Sequence, residues 1–168
     1  VTNDVLQRVT EAITELDYSP SRVARRLRAT ASQLVGVIFS DISNPFYIDV
    51  LRSIEHTLSR QGMSVLISNA DSDPVREDAF IRVMLNENIA GLIIAPTKED
   101  VPALAAVARG GVPTVVVDRR LANVDADTVL VDNFKGALTA IQHLIGLGHT
   151  RIGVLSGPLH LTSGRERY

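Results

Sequence analysis

Short apolar runs alternate with amphipathic segments along most of this chain, and this alternation constrains the fold more than any other feature of the sequence. The runs are mostly unbroken Val, Ile and Leu, which is typical of strands buried on both faces of a parallel sheet. They predict strands over residues 34–39, 63–68, 90–95, 113–118, 128–131 and 151–156. The segments between them predict helices over residues 46–60, 74–86, 99–108 and 134–147. A repeat of roughly 25 to 30 residues per unit predicts a doubly wound α/β domain.

Polar or small side chains follow the end of each predicted strand. They occupy residues 40–44, 69–73, 96–98, 118–120, 132–133 and 157–160. Ligands of doubly wound domains bind at the carboxyl ends of the strands, and hydroxyl, amide and carboxylate groups suit a small polyol or sugar-like ligand. An aromatic side chain, Phe46 or Tyr47, would lie against the apolar face of that ligand. The alternative is that these Asp and Asn residues cap the following helices, and for Asp73, which precedes Pro74, we favour capping.

The first 30 residues carry a local basic cluster that the net charge of −2 conceals. Their own net charge is +1, and that of the remaining residues is −3. All the acids of the segment come before its four clustered arginines, which are Arg22, Arg25, Arg26 and Arg28. Such clustering indicates contact with nucleic acid, although a solvated face of a short helix gives the same pattern. A helix over 2–16 is predicted before the cluster, and a short helix over 22–27 within it, which we expect to order only when docked.

Several classes of function are not indicated. The chain has no cysteine, and its four histidines show no paired spacing for metal ligands, so we expect no metal and no cofactor. The enzyme motifs G-x-G-x-x-G, the phosphate-binding P-loop and G-x-S-x-G do not occur, which predicts that the protein is not an enzyme. Neither a long apolar run nor a signal-peptide pattern occurs, so we expect a cytoplasmic protein without a membrane partner.

A series of motifs, in order along the chain, resembles the lactose-repressor/galactose-repressor (LacI/GalR) family of transcription regulators. They are YSP at 18–20, VARRL at 23–27, GVI at 36–38, DISNPF at 41–46, GLIIAP at 91–96, GVPTVVVD at 111–118, VDN at 131–133, LGHTRIG at 147–153 and GP at 157–158. Most are weak alone, but together they are specific and cover essentially the whole chain.

The resemblance implies a periplasmic-binding-protein-like type I fold with two lobes, preceded by a helical headpiece. Residues 1–30 would supply the third helix of a helix-turn-helix headpiece and a hinge helix, and residues 31–131 the first lobe of the effector-binding domain. Residues 132–168 would begin the second lobe. On this expectation the first two headpiece helices, including the recognition helix, and most of the second lobe lie outside this sequence.

The resemblance also implies a DNA contact made by the hinge. Leu27 matches the leucine that the family inserts into the minor groove from each subunit of a dimer, kinking the duplex. Val23 and Ala24 would lie along the paired hinge helices, and Arg28 near the minor groove or backbone. The arginines before it would neutralise phosphates. The expected DNA-binding residues are Tyr18, Ser21, Arg22, Val23, Ala24, Arg25, Leu27 and Arg28, with Arg26 among the phosphate contacts.

For the effector, Ser163 and Arg167 match positions that face the ligand in the family, and Asn44, Phe46 and Asp118 join them from the strand ends. The expected function is that of a ligand-responsive transcription regulator, a repressor, whose partners are operator DNA, a small polar effector and a second subunit. A structural role for Asp118, as a helix cap or in an ion pair with a neighbouring arginine, remains open. The alternative function is that of a solute-binding protein, which would share the lobes but lack a basic hinge.

Overall fold

The structure is a computed structural model that describes residues 3–15, 32–122 and 124–168. The chain divides into two units, Val1–Ser32 and Gln33–Tyr168, which we describe separately. In the first unit, helix α1 spans Asn3–Glu15, within the helix predicted over 2–16. The predicted hinge helix and its DNA-contacting residues, 18–28, lie outside the described residues.

The second unit is built on one parallel sheet of five strands. They are β1 (Leu34–Phe39), β2 (Ser64–Asn69), β3 (Gly91–Ala95), β4 (Thr114–Val117) and β5 (Asp127–Val129). Their spatial order is β2-β1-β3-β4-β5, and every neighbouring pair is parallel. From β1 the chain goes to β2 on one side, and after β2 it crosses back over β1 to form β3 on the other side. The direction in which strands are added therefore reverses beside β1, which is the switch point of the sheet. The predicted doubly wound parallel sheet is confirmed.

Five further helices follow the strands or complete the chain. They are α2 (Pro45–Ser59), α3 (Pro74–Asn86), α4 (Pro102–Arg109), α5 (Asn133–Gly146) and α6 (Thr162–Arg167). Asn44 and Asp73 cap α2 and α3, each accepting a hydrogen bond from a backbone N–H two residues later. The capping role favoured for Asp73 is therefore confirmed. Asp132 caps α5 in the same manner, by accepting from the N–H of Lys135.

Apolar side chains fill both faces of the sheet. On one face, Ile38, Leu92 and Ile94 pack with residues of α3 and α4 such as Ile81 and Leu104. The other face carries a smaller cluster of four buried residues, Val37, Phe39, Tyr47 and Ala95. Strand β1 is buried along nearly its whole length because it contributes to both clusters.

Two predicted elements differ from the structure. Residues 151–156 form no strand, and most of them are exposed. A strand exists only when a neighbour completes its hydrogen-bond ladder, and this segment pairs with none of the five strands of the sheet. The helix predicted from residue 99 begins at Pro102, because the fixed φ of proline suits the first helical position. The other boundaries of the described elements agree with prediction to within two residues.

Candidate functional site

The carboxyl ends of β1, β2, β3 and β4 meet at one edge of the sheet, since parallel strands end on the same side. The loops that follow them carry the polar side chains predicted from the sequence. The side chain of Tyr47, on α2, joins the loops after β1 and β4, and the loop after β3 contacts α6. We call this edge the rim, and define it as residues 40–44, 69–73, 96–101 and 118–120.

Asp118, directly after β4, has an unusual conformation and an unusual environment. It is only 8% exposed, and its φ of +68° lies in the left-handed region, which residues other than glycine adopt rarely. The Tyr47 hydroxyl donates a hydrogen bond to Asp118 Oδ2 at 2.9 Å, and Ser40 Oγ donates to the Tyr47 hydroxyl at 3.3 Å. The three side chains form a chain of hydrogen bonds that links β1, α2 and β4.

Tyr47 is suited to act as the donor in this chain. Burial raises the pKa of its hydroxyl, an effect that the charge of Arg119 and the hydrogen bond from Ser40 oppose. The phenol consequently stays protonated at physiological pH and holds one oxygen of the Asp118 carboxylate. Its ring stacks on Phe39 with centroids 5.0 Å apart, which fixes the direction of the hydroxyl.

Phe46 lies beside these residues, in edge-to-face contact with the Tyr47 ring at 5.3 Å. Phe46 and Asp118 both line a groove of about 640 Å³ between α2 and the β4–β5 side of the sheet, and the other lining residues are mainly apolar. The structure therefore brings together two of the five predicted effector residues. The amide oxygen of the third, Asn44, accepts from the N–H of Phe46 as the cap of α2.

Ser163 and Arg167 lie on α6, and no described hydrogen bond joins them to Asp118 or Phe46. Ser163 is buried, whereas Arg167 is exposed and its Nε donates to Asn133 Oδ1 at 2.7 Å. Arg167 lines a separate cavity with residues of α5. The predicted effector residues thus form two groups in this structure, one at the rim and one on α6.

The sequence reasoning missed a buried carboxylate beneath the rim. Glu77, on α3, is fully buried and accepts from the Thr97 N–H at 2.6 Å and the Thr97 hydroxyl at 3.1 Å. Burial raises its pKa, although these hydrogen bonds and the charge of Arg119 act in the opposite direction. The sequence did carry a signal for the burial of Glu77, because Glu77, Ile81 and Met84 share one helical face at i, i+4 and i+7.

A second group that the sequence did not indicate joins the rim to α6. Glu99 accepts hydrogen bonds from the Thr162 hydroxyl and from Arg165 Nη2, the latter at 2.8 Å and 3.0 Å to its two oxygens. Burial acts to raise the pKa of Glu99, but these hydrogen bonds and the charge of Arg165 outweigh it and lower that pKa. No sequence pattern relates positions more than sixty residues apart.

Within residues 3–15, 32–122 and 124–168, no cluster of three or more His, Asp or Glu side chains is arranged to hold a metal ion. None of the helices in the described part of the chain is both long and apolar enough to span a membrane.

The sheet order and the polar rim at its carboxyl edge define a ligand-binding domain of the type I periplasmic-binding-protein class. The family model for periplasmic binding proteins and the sugar binding domain of the LacI family matches residues 32–167. The chain belongs to this family, and the resemblance drawn from its motifs is confirmed.

Curated relatives and a solved structure agree with this assignment. The "Probable HTH-type transcriptional regulator EndR" of Paenibacillus polymyxa is 35% identical over 153 residues, which are 91% of this chain and 45% of that protein. The ribose operon repressor of Escherichia coli (strain K12) is 31% identical over 168 residues, covering 99% of this chain and 51% of the repressor. The crystal structure of the lac repressor dimer bound to operator and the anti-inducer ONPF superposes with a TM-score of 0.81 and 27% identity, over 99% of this chain and 51% of that one. The chain thus spans about half the length of the curated relatives that it matches.

Proposed function

We propose that this chain is part of a ligand-responsive transcription regulator, acting as a repressor that binds operator DNA and senses a small polar metabolite. The observation that carries the effector-sensing part of the proposal is Asp118, a buried carboxylate in a strained conformation at the rim of a ligand-binding domain. Backbone strain of this kind costs about 1–3 kcal/mol and tends to be retained at functional sites. The names of the relatives, which are transcription regulators and an operon repressor, support the same function.

The effector would contact the rim through three groups. Asp118 would accept hydrogen bonds from ligand hydroxyls with the carboxylate oxygen that Tyr47 leaves available, and Phe46 would cover an apolar face of the ligand. Asn44 would offer its amide nitrogen, since its oxygen is engaged in the cap. Ser163 and Arg167 would contact, from α6, a ligand that spans the two groups. This chemistry fits a sugar or another polyol.

DNA would be bound through residues 18–28, in a homodimer. Leu27 would wedge into the minor groove, and Val23 and Ala24 would pack along the paired hinge helices. Tyr18 and Ser21 would set the start of the hinge, and the arginines would neutralise phosphates. The basic cluster and the family assignment support this part of the proposal. The protein would act in the cytoplasm and catalyse no reaction.

The effector would control DNA binding through the arrangement of the ligand-binding domain. A ligand shifts a conformational equilibrium only by as much as its affinities for the two states differ. Contacts to the rim and to α6 together would favour one arrangement of the two and so alter the distance between the hinges of a dimer. A solute-binding protein would bind its ligand at the same rim, but such a function does not explain the four clustered arginines before residue 31.

Binding of DNA tests this function directly. The polypeptide encoded by the complete gene is titrated into a fluorescent palindromic duplex with a central CG step, and wild type is compared with Leu27→Ala. We expect tight, salt-sensitive binding that Leu27→Ala weakens at least tenfold, while the exposed-leucine control Leu147→Ala has no effect. Absence of specific binding across a library of such duplexes would favour the solute-binding alternative.

A further inference from the structure

Glu99 is the point at which the rim contacts helix α6 most extensively. Its carboxylate accepts three hydrogen bonds from α6, one from the Thr162 hydroxyl and two from Arg165 Nη2. The backbone of Glu99 is itself held, because its carbonyl accepts from the N–H of Ala122 at 2.9 Å. Because hydrogen bonds hold both its side chain and its backbone carbonyl, Glu99 is suited to keep a neighbouring helix in place.

The burial pattern indicates that this contact anchors α6. Residues 161–164 are all buried, whereas residues 151–160 before them are almost entirely exposed. Thr162, which donates to Glu99, is only 6% exposed. The partly exposed ion pair between Glu99 and Arg165 would contribute little to stability alone. The buried Thr162 hydroxyl donates to the same carboxylate, however, and would lose its acceptor without it.

The turn that leads into α6 is itself closely packed. A Cβ at Gly164 would lie 2.2 Å from the carbonyl oxygen of Pro158, so only glycine fits at this contact. Ser163 and Arg167 lie on this helix, so their positions depend on where α6 docks.

We propose that Glu99 is a positioning residue that docks α6 against the rim and thereby places Ser163 and Arg167 for the ligand. The role in ligand placement rests on the proposed function, but the docking does not. Loss of the Glu99 carboxylate loosens the first turn of α6, whose end stays bonded to Asn133 and paired with Arg120, and leaves the sheet and the Tyr47–Asp118 contact intact. A ligand that touches both Asp118 and α6 then has to supply the ordering that Glu99 provides in the wild type.

Hydrogen–deuterium exchange of this chain, without ligand or DNA, tests the docking. Peptides covering 159–168 report on α6, and peptides covering 34–39 and 91–95 report on the sheet. We expect Glu99→Ala to speed exchange of the α6 peptides by roughly 5- to 30-fold and to leave the sheet peptides unchanged. Glu99→Gln, which keeps an acceptor oxygen, recovers part of the protection. The matched control is Glu55→Ala, on the exposed face of α2, and it changes neither set.

Two further variants separate direct docking from general destabilisation. In a double-mutant cycle, Arg165→Ala adds little to Glu99→Ala, because both remove the same contact. Gly164→Ala disturbs the turn into α6 by a clash with Pro158 and shows that the α6 peptides respond when this segment is perturbed. The proposal is overturned by unchanged α6 exchange in Glu99→Ala, by equal acceleration in the sheet, or by additive effects in the cycle. None of these results bears on whether Asp118 binds a ligand, so failure of the docking is distinguishable from failure of the proposed function.

Discussion

At the scale of single residues, two buried carboxylates near the rim have different tasks. Asp118 faces a groove and keeps one oxygen engaged with Tyr47, whereas Glu77 is fully enclosed and ties α3 to the loop after β3. The sequence placed Asp118 correctly because a strand end is readable from an apolar run followed by an acid. It did not reveal the bond to Tyr47, which joins positions 71 residues apart.

Removing the Tyr47 hydroxyl tests whether it secures Asp118. We expect Tyr47→Phe to lower the free energy of unfolding by about 1–3 kcal/mol, because a buried carboxylate oxygen loses its donor. Urea unfolding followed by circular dichroism measures the change. Tyr168→Phe, at a tyrosine that is 85% exposed, is the control and has no effect. An equal loss in both variants would contradict the role of the hydroxyl.

Glu77 predicts a specific dependence of stability on pH. Because burial raises its pKa in the folded chain, ionised Glu77 destabilises the fold, and stability falls as pH rises from about 4.5 through the folded pKa. Glu77→Gln keeps an oxygen for the Thr97 N–H and carries no charge. We therefore expect the variant to gain stability over wild type as pH rises through this window, with the difference constant above it.

Chemical denaturation of both proteins at several pH values measures that difference. Glu55→Gln, at an exposed position on α2, is the matched control and follows wild type throughout. A variant whose stability relative to wild type does not change with pH would show that Glu77 has the same pKa in the folded and unfolded chains.

At the scale of elements, the apolar runs were sufficient to predict all five strands of the sheet and their parallel arrangement. They failed at residues 151–156, where the apolar run is genuine but no neighbouring strand pairs with it. Strand formation depends on a partner as well as on the segment itself, so periodicity overpredicts at such positions. Helix starts were accurate where a cap and a proline coincide, as at Asp73 and Pro74, and wrong where the proline lay three residues further on, at Pro102.

Two glycines in different surroundings predict opposite effects of substitution by alanine, one packed between β1 and α3 and one inside α5. A Cβ at Gly36 would lie 2.9 Å from Met84 Sδ and 3.1 Å from Ile89 Cδ1, so Gly36→Ala forces both side chains to move. Overpacking of this kind costs about 1–3 kcal/mol. A Cβ at Gly136, inside α5, meets nothing within 4 Å, and Gly136→Ala should stabilise by about 0.5–1 kcal/mol.

Thermal unfolding of the two variants distinguishes these signs in one experiment. The expected result is a lower midpoint for Gly36→Ala and a higher or equal midpoint for Gly136→Ala. If Gly36→Ala were neutral, the Met84 side chain would have room to move, and the close contact between β1 and α3 would not limit the core.

At the scale of the whole molecule, the first 30 residues have a net charge of +1 and the remaining residues −3, and the polar loops at the strand ends lie in the second part. On the proposed function, the basic part binds DNA and the part with the polar loops binds the effector. The sequence was not sufficient to show that the predicted effector residues form two groups, because the position of α6 depends on its contacts with Glu99 and Asn133. Residues of one strand end can be predicted from a local pattern, but the meeting of two strand ends with a distant helix cannot.

This division of charge predicts how salt acts on DNA binding, on the basis of the proposed function. Each phosphate that an arginine neutralises contributes about 0.9 to the slope of log affinity against log salt concentration. In a dimer, Arg25→Gln should therefore reduce that slope by about 1.8 if both hinges contact DNA through this residue. Fluorescence anisotropy of the complete gene product at several salt concentrations measures the slope.

Arg109→Gln, at an exposed arginine that ends α4, removes the same charge from the ligand-binding domain and should leave the slope unchanged, because it lies outside the basic cluster. Equal slopes in wild type and Arg25→Gln would remove Arg25 from the DNA contact, whereas equal reductions in both variants would mean that net charge, and not the cluster, governs binding.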